Sequence, residues 1–258
     1  MKASKTALDA TVIIGPGRVG RSLAAALGKP GFGPAGTVRG PGQIELRGRE
    51  DGLEGLDGKV VLLAVPDGEI APLAGRIGQL ATGPRLIGHT SGATALEALS
   101  GAGADGEFSV HPLQTVPDGE TDLAGCPAAI AGSAPEALAV ATEIATITGM
   151  RSFEIKEENR AIYHAAASIA SNFLITIEQT AAELLGGIEV NDPRQMLEPL
   201  IRRSLDNWVA RGPEALTGPI VRGDVATVAA HRDALARQRP DLAGFYEVLA
   251  ERTREIAA

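Results

Sequence analysis

Aromatic residues are scarce in this chain: one Trp, two Tyr and five Phe, 3% of 258 residues. Base recognition relies on aromatic platforms, so this composition argues against nucleic-acid stacking. A basic surplus is missing too. Asp and Glu number 32 against 24 Lys and Arg, a net charge of −8, and no basic stripe is present, so nucleic acid is not an expected partner. The lone cysteine, Cys126, excludes an internal disulfide and a cysteine-rich metal site, and no metal is expected. No stretch of ~20 uninterrupted apolar residues occurs, and "MKASKTALDA" holds no long apolar run before the first strand. A cytoplasmic protein that neither crosses nor binds a membrane is the expectation.

What is present is a 44% hydrophobic chain rich in alanine and glycine, long enough for one large domain or two modest ones. Through residue 155 short apolar runs alternate with helical patterns. "TVIIG" (11–15), "KVVLLAVPD" (59–67), "PRLIGHTSG" (84–92), "EFSVHP" (107–112), "PAAIAG" (127–132) and "RSFEI" (151–155) read as strands. Helices are expected over "RVGRSLAAALG", through Leu80, from Ala93 to Leu99 and over "APEALAVATEIATITG". This alternation predicts an α/β, doubly wound, mainly parallel sheet. The Gly- and Pro-rich segment 29–58 leaves two options for the second strand, "GTVRG" or "QIELRG". From residue 156 to 258 the pattern is all helical, beginning with "KEENRAIYHAAASIASNFLITIEQTAAELLGG" as one long helix. Two domains are therefore expected, 1–155 and 156–258.

"GPGRVG" (15–20) matches G-x-G-x-x-G, follows a strand and opens a helix, the context a dinucleotide site requires. Gly15 allows the tight turn, Gly17 lets backbone approach a pyrophosphate and Gly20 lets helix pack on strand. Arg18 and Val19 complete the loop as cofactor-binding candidates. No acidic residue lies between Arg21 and Ile44, where an NAD site keeps a ribose-binding carboxylate. Lys29 and Arg39 stand there, with Arg47 and Arg49 beyond, which points to the 2′-phosphate of NADP rather than NAD. Val65 and Pro66 could pack on the cofactor. Thr90, Ser91 and Gly92 could meet the nicotinamide or substrate. The alternative is ordinary loop chemistry, with Asp67 capping a helix and Ser91 filling a turn.

"HPLQT" (111–115) places His111 after a strand, with Gln114 and Thr115 behind it. In "YHAAASIASNFL" (163–174), His164, Ser168, Ser171 and Asn172 interrupt an otherwise apolar helix. At ~100° per residue they share one face. Hydride transfer to a carbonyl builds charge on oxygen, which a histidine can protonate and Ser or Asn can orient. A buried hydrogen-bond network between helices would show the same spacing.

In order, "GPGRVG", "AVPDGEI", "HTSG", "HPLQT", "YHAAASIASNFL" and "ALTGPIVRGD" resemble a bacterial family of Rossmann-like proteins whose C-terminal half is a domain of unknown function. That family is similar to the 6-phosphogluconate dehydrogenase superfamily, with an NADP-binding domain followed by a helical domain. Its relatives include β-hydroxyacid dehydrogenases, ketopantoate reductase, pyrroline-5-carboxylate reductase and prephenate dehydrogenase. The resemblance implies a substrate-binding loop at Ser91-Gly92 and a catalytic histidine at His111. It sets His164 where relatives carry a catalytic lysine, and Ser168 and Asn172 where they place asparagines. Asp224 and His231 resemble an aspartate and a substrate-site glutamate of ketopantoate reductase, and Arg222 could hold a carboxylate. The expectation is an NADP-dependent oxidoreductase of a small 2-oxo acid or similar carbonyl, ketopantoate first. The alternatives are an imine reductase or prephenate-dehydrogenase-like activity, and a non-catalytic NADP-binding sensor or scaffold. A homodimer through the helical domain is expected.

Overall fold

A computed structural model describes residues 8, 10–28, 44–49 and 53–258 in full, and 31–32 and 38–39 by their backbone. Lys29 lies outside the described residues, as does the side chain of Arg39.

The chain divides into two compact units, Met1–Phe173 and Leu174–Ala258. The first is built on a seven-stranded sheet, ordered β4-β1-β5-β6-β7-β8-β9. Its strands are β1 (Thr11–Ile14), β4 (Ile44–Arg47), β5 (Val60–Leu63), β6 (Leu86–His89), β7 (Gly106–Pro112), β8 (Pro127–Gly132) and β9 (Arg151–Glu154). A separate antiparallel ribbon pairs β2 (Gly31–Phe32) with β3 (Val38–Arg39). "QIELRG" therefore supplies the second strand of the main sheet, running parallel to β1. Arg39 sits in the ribbon, and Arg47 ends that strand.

All sheet pairings are parallel except β7 with β8. That reversal has a local cause. No helix separates these two strands, and a parallel return needs a crossover, usually helical. Period-two alternation gives each strand two apolar faces. Ile13, Leu62, Phe108 and Val110 pack on one side with Leu23 and Leu27 of α1 (Arg18–Leu27) and Val140 and Ile144 of α3 (Pro135–Ile147). Val12, Ile14, Val61 and Leu63 pack on the other with Ile70, Leu73 and Ile77 of α2 (Asp67–Ile77). The helix expected at 93–99 is a short 3-10 helix, Leu96–Ala102.

The long helix expected after residue 156 is interrupted. It comprises a 3-10 turn (Glu157–Asn159), α4 (Arg160–Ser168), a π turn (Ile169–Phe173) and α5 (Leu174–Gly186). Ser171 Oγ donates to the Ala167 carbonyl at 2.8 Å, a local bond that competes with the regular ladder. The second unit continues with α6 (Pro193–Arg211), α7 (Val225–Gln238) and α8 (Ala243–Ala257). Among its described residues, only Ala182, Val228 and Ala250 are buried apolar side chains. No helix of the described residues is long and apolar enough to cross a membrane.

Candidate functional site

Register fixes what the sheet presents at its C-terminal edge. Ile14, Leu63, His89 and Ser109 form one row across β1, β5, β6 and β7. Two residues beyond that row stand Pro16, Val65, Ser91 and His111, the last three of which the sequence flags separately.

The chain passes from β4, on one side of β1, to β5, on the other. Ligands of open α/β sheets bind at such a switch point. A crevice of about 490 Å³ opens there, lined by Gly15, Pro16, Gly17, Arg49, Val65 and Pro66 among others. The glycines of the loop differ in what demands them. Gly15 has φ +113°, and a Cβ on it would lie 2.3 Å from the Ala64 carbonyl oxygen. A Cβ on Gly20 would lie 2.0 Å from the Gly15 oxygen. Gly17 has an ordinary φ of −74°, and a Cβ there would meet nothing within 4 Å. The fold demands glycine at 15 and 20, whereas at 17 the backbone leaves room for a side chain.

Gly17 also caps α1, with no side-chain capping bond and no acidic residue in the first turn. The first N–H groups of the helix are thus available to an anion. Arg18 is exposed at this end, whereas Val19 packs against the core. Arg47 is held by Glu45 and donates to the Glu54 carbonyl. Arg49, at the crevice, has a loose ion pair with Glu69 at 3.8 Å. Uncapped N–H groups, an open glycine and a nearby guanidinium together suit a phosphate-bearing ligand.

A second cleft, of about 630 Å³, lies within the same unit. Its wall includes His111, Gln114, Thr115, Tyr163, His164, Ser168, Ser171 and Asn172. The polar stripe of α4 and the π turn therefore faces open space, joined by Ala166, Ala167 and Ala170. His111 Nδ1 lies 2.6 Å from Tyr163 Oη, and the two rings meet edge to face at 5.6 Å. His164 meets His111 edge to face at 6.1 Å. Gly92 lies against both imidazoles: a Cβ on it would come within 2.9 Å of His111 Nε2 and of His164 Cδ2. Burial, and then the charge His164 can carry, bring the His111 pKa down from 6.5 to about 4. Burial pushes the Tyr163 phenol up to about 12. Both are neutral near pH 7.

Beneath this wall lies a buried polar cluster. Arg160, 2% exposed, donates through Nη2 to Ser109 Oγ at 3.0 Å and pairs with Glu157 Oε1. Glu157 Oε2 accepts the Leu96 N–H at 2.9 Å. His89 Nδ1 accepts the Ser91 N–H at 3.2 Å. Burial and the Arg160 charge lower the His89 pKa from 6.5 to about 4. Ser91 Oγ accepts the N–H groups of Ala93 and Thr94 and donates to Thr94 Oγ1. Its hydroxyl is thus occupied within the turn, while Thr90, half-buried, ends the strand.

Other expected residues stand elsewhere. Gln114 donates to the Asp122 carbonyl from the rim of the cleft. Arg222, Asp224 and His231 belong to the second unit. Asp224 caps α7 through the Thr227 N–H, His231 Nδ1 lies 2.9 Å from Tyr246 Oη, and Arg222 is exposed. Tyr163, Arg160 and Arg49 carry more of the geometry than the sequence reading gave them. Arg160 was detectable, because it extends the stripe one step back, four residues before His164. Tyr163 was not, since adjacent helical residues diverge by ~100°.

The sheet and its helices form a Rossmann-type α/β fold, followed by a helical C-terminal region. Residues 126–253 match the family model described as domain of unknown function DUF2520. Among solved structures it is similar to a protein of Bacteroides fragilis provisionally described as an NADP oxidoreductase. The identity is 24%, coverage 96% of this chain and 99% of that one, and the TM-score 0.75. A Thermotoga maritima protein matches at 21% identity over 96% and 98% of the two chains, TM-score 0.74. Prephenate dehydrogenase from A. aeolicus, in complex with hydroxyphenyl propionate and NAD+, matches at 14% identity over 99% of each chain, TM-score 0.57. No curated protein matches.

Proposed function

We propose that this chain is a nicotinamide-nucleotide-dependent oxidoreductase that reduces the carbonyl of a small 2-oxo acid or a similar compound. Gly17 is the observation that carries the reading, because it leaves the backbone clear for a pyrophosphate to approach the start of α1. The matched register supports it. His111 stands on the same sheet edge as Val65, two strands away, a span of about 10 Å at ordinary strand spacing. The names of two similar structures, one an NADP oxidoreductase and one holding NAD+, agree with a nicotinamide nucleotide. Arg49 favours NADP, since a guanidinium pairs well with a terminal phosphate.

A reduced nicotinamide bound at the crevice supplies hydride. The chain supplies the remainder. His111 offers a hydrogen bond to the carbonyl oxygen, and His164, Ser168 and Asn172 orient the substrate along the opposite wall. Among the described residues no Lys or Arg lines this cleft, so recognition there uses His, Ser, Asn and Tyr side chains.

The test is calorimetric titration with NADPH and NADH, followed by nicotinamide absorbance with a panel of carbonyl compounds, ketopantoate first. Turnover of cyclic imines or of a cyclohexadienyl acid would redirect the substrate class. Tight NADPH binding without turnover on the whole panel would favour a sensor. Absence of any nucleotide binding would overturn the proposal.

The second unit is proposed to pack against a second copy of this chain. Three small buried apolar residues do not make a core for four helices. Trp208 is 63% exposed and Val209 77%, and with Leu205 they share one face of α6 by their spacing.

A further inference from the structure

We infer that Tyr163 is a positioning residue that fixes the tautomer of His111, donating its phenolic proton to Nδ1 so that Nε2 carries the hydrogen presented to the substrate. The inference rests on the proposed carbonyl reduction for its purpose, but its geometry is independent of that reading. The Nδ1 to Oη distance is 2.6 Å, short for a neutral pair and within the range of a good O–H donor. A phenol is the stronger acid of the two groups and an imidazole nitrogen the stronger base, so O–H to N is the better pairing. The opposite arrangement would spend the imidazole N–H on a weak acceptor and leave the phenolic proton without a partner.

Three elements build the arrangement. β7 delivers His111, and α4 delivers Tyr163 and His164. The glycine at 92 leaves the Nε2 edge uncovered, since a Cβ there would lie 2.9 Å from it. Phe153 of β9 braces the other side of Tyr163, edge to face at 6.0 Å. The charged and titratable groups acting on His111 are His164 and Arg160 from α4 and Asp67 from α2. Burial keeps the imidazole neutral and the phenol protonated, which excludes a phenolate–imidazolium pair near neutral pH.

The consequence for reduction is a defined proton path. Hydride reaching the carbonyl carbon leaves an alkoxide on oxygen. The oxygen takes the Nε2 proton while Nδ1 takes the phenolic proton of Tyr163; afterwards a proton from solvent reaches Nε2 as Nδ1 hands its proton back to the phenolate, which restores the Nε2–H form. One hydride and one proton are added, so C=O becomes CH–OH. A neutral imidazole acts here as donor without first being charged.

The experiment uses the full chain without nucleotide. Long-range 1H–15N NMR of the imidazoles reads the tautomer of His111 directly, assigned by loss of the signal in His111→Gln. In the native protein the Nε2–H form is expected to the near exclusion of the other. Tyr163→Phe keeps the ring and its contacts and removes only the hydroxyl, and His111 should then show a mixture of tautomers. A Nδ1–H form in the native protein would overturn the inference, as would an unchanged Nε2–H signal in Tyr163→Phe. A parallel calorimetric titration with NADPH separates the two claims. Loss of the tautomer result with intact nucleotide binding rejects the role of Tyr163 alone; an intact tautomer with no nucleotide binding rejects the oxidoreductase reading alone.

Discussion

Arg160 donates to Ser109 Oγ at 3.0 Å and so ties the first turn of α4 to the strand that presents His111 two residues later. The same guanidinium holds Glu157, whose other oxygen caps the 3-10 helix beyond the Ser91-Gly92 turn. One buried cation thus spaces His111, His164 and Gly92. Arg160→Leu is expected to cost about 3 kcal/mol, as for other broken buried pairs. Because its charge also lowers the His89 pKa, that pKa should rise in the variant. Denaturant melts and histidine NMR titrations check both. A fully stable variant with unmoved imidazoles would show that Arg160 is incidental.

Gly17 and Gly20 should separate ligand binding from folding. Gly17→Ala meets no atom and should leave the melting temperature nearly unchanged while lowering NADPH affinity by tenfold or more, to order of magnitude. Gly20→Ala drives a methyl into the Gly15 carbonyl and should destabilise by about 2 kcal/mol or more. Scanning calorimetry and isothermal titration read the two effects. Equal losses of stability would place the demand for Gly17 inside the fold.

Arg49→Ala should discriminate between the two nicotinamide nucleotides. Loss of one charge-assisted phosphate contact is worth about 1.5–3 kcal/mol, so NADPH affinity should fall by roughly 10- to 100-fold. NADH affinity should hold or improve slightly. Parallel titrations decide, and equal weakening of both would remove Arg49 from the 2′-phosphate site.

Stability should fall on the acid side of neutrality. His89 has its pKa lowered from 6.5 to about 4 by burial and Arg160, so the folded state favours the neutral ring. Its contribution is complete above pH 6.5 and is lost as pH falls toward 4, because the unfolded chain takes up the proton first. The shift corresponds to about 3 kcal/mol at most. Urea unfolding at pH 7.5, 6, 5 and 4 should trace the loss, and His89→Gln should reduce it, leaving the part that His111, lowered in the same way, supplies. A flat native profile would mean that both rings keep their unfolded-state pKa in the fold.

The exposed face of α6 predicts self-association. Sedimentation at micromolar concentration should give a dimer, and Val209→Asp, which disturbs little within one subunit because Val209 is exposed, should give a monomer. A native monomer would leave that face to a different partner.

The sheet was legible because its strands are short β-branched runs punctuated by glycine, a period-two signal that needs no partner to be read. The second strand was not, since β4 is only partly buried and its residues carry no apolar run. At the cleft, spacing alone brought out the polar stripe of α4. It did not reveal Tyr163, whose role depends on β7 arriving beside α4, a contact between residues 52 positions apart in sequence. Which basic residue meets the crevice depends in the same way on which segment pairs with β1, a tertiary pairing that spacing does not give.

The π turn at Ile169–Phe173 is in effect one surplus residue held inside a helix, and such turns recur at functional sites. Its consequence is a matter of phase. Removing one residue ahead of Asn172 would let the helix close into the regular ladder and rotate Asn172 by ~100° relative to His164. Asn172 is therefore placed by the length of the segment as much as by its own identity. A shortened helix could keep every side chain of the cleft wall and still aim one of them elsewhere.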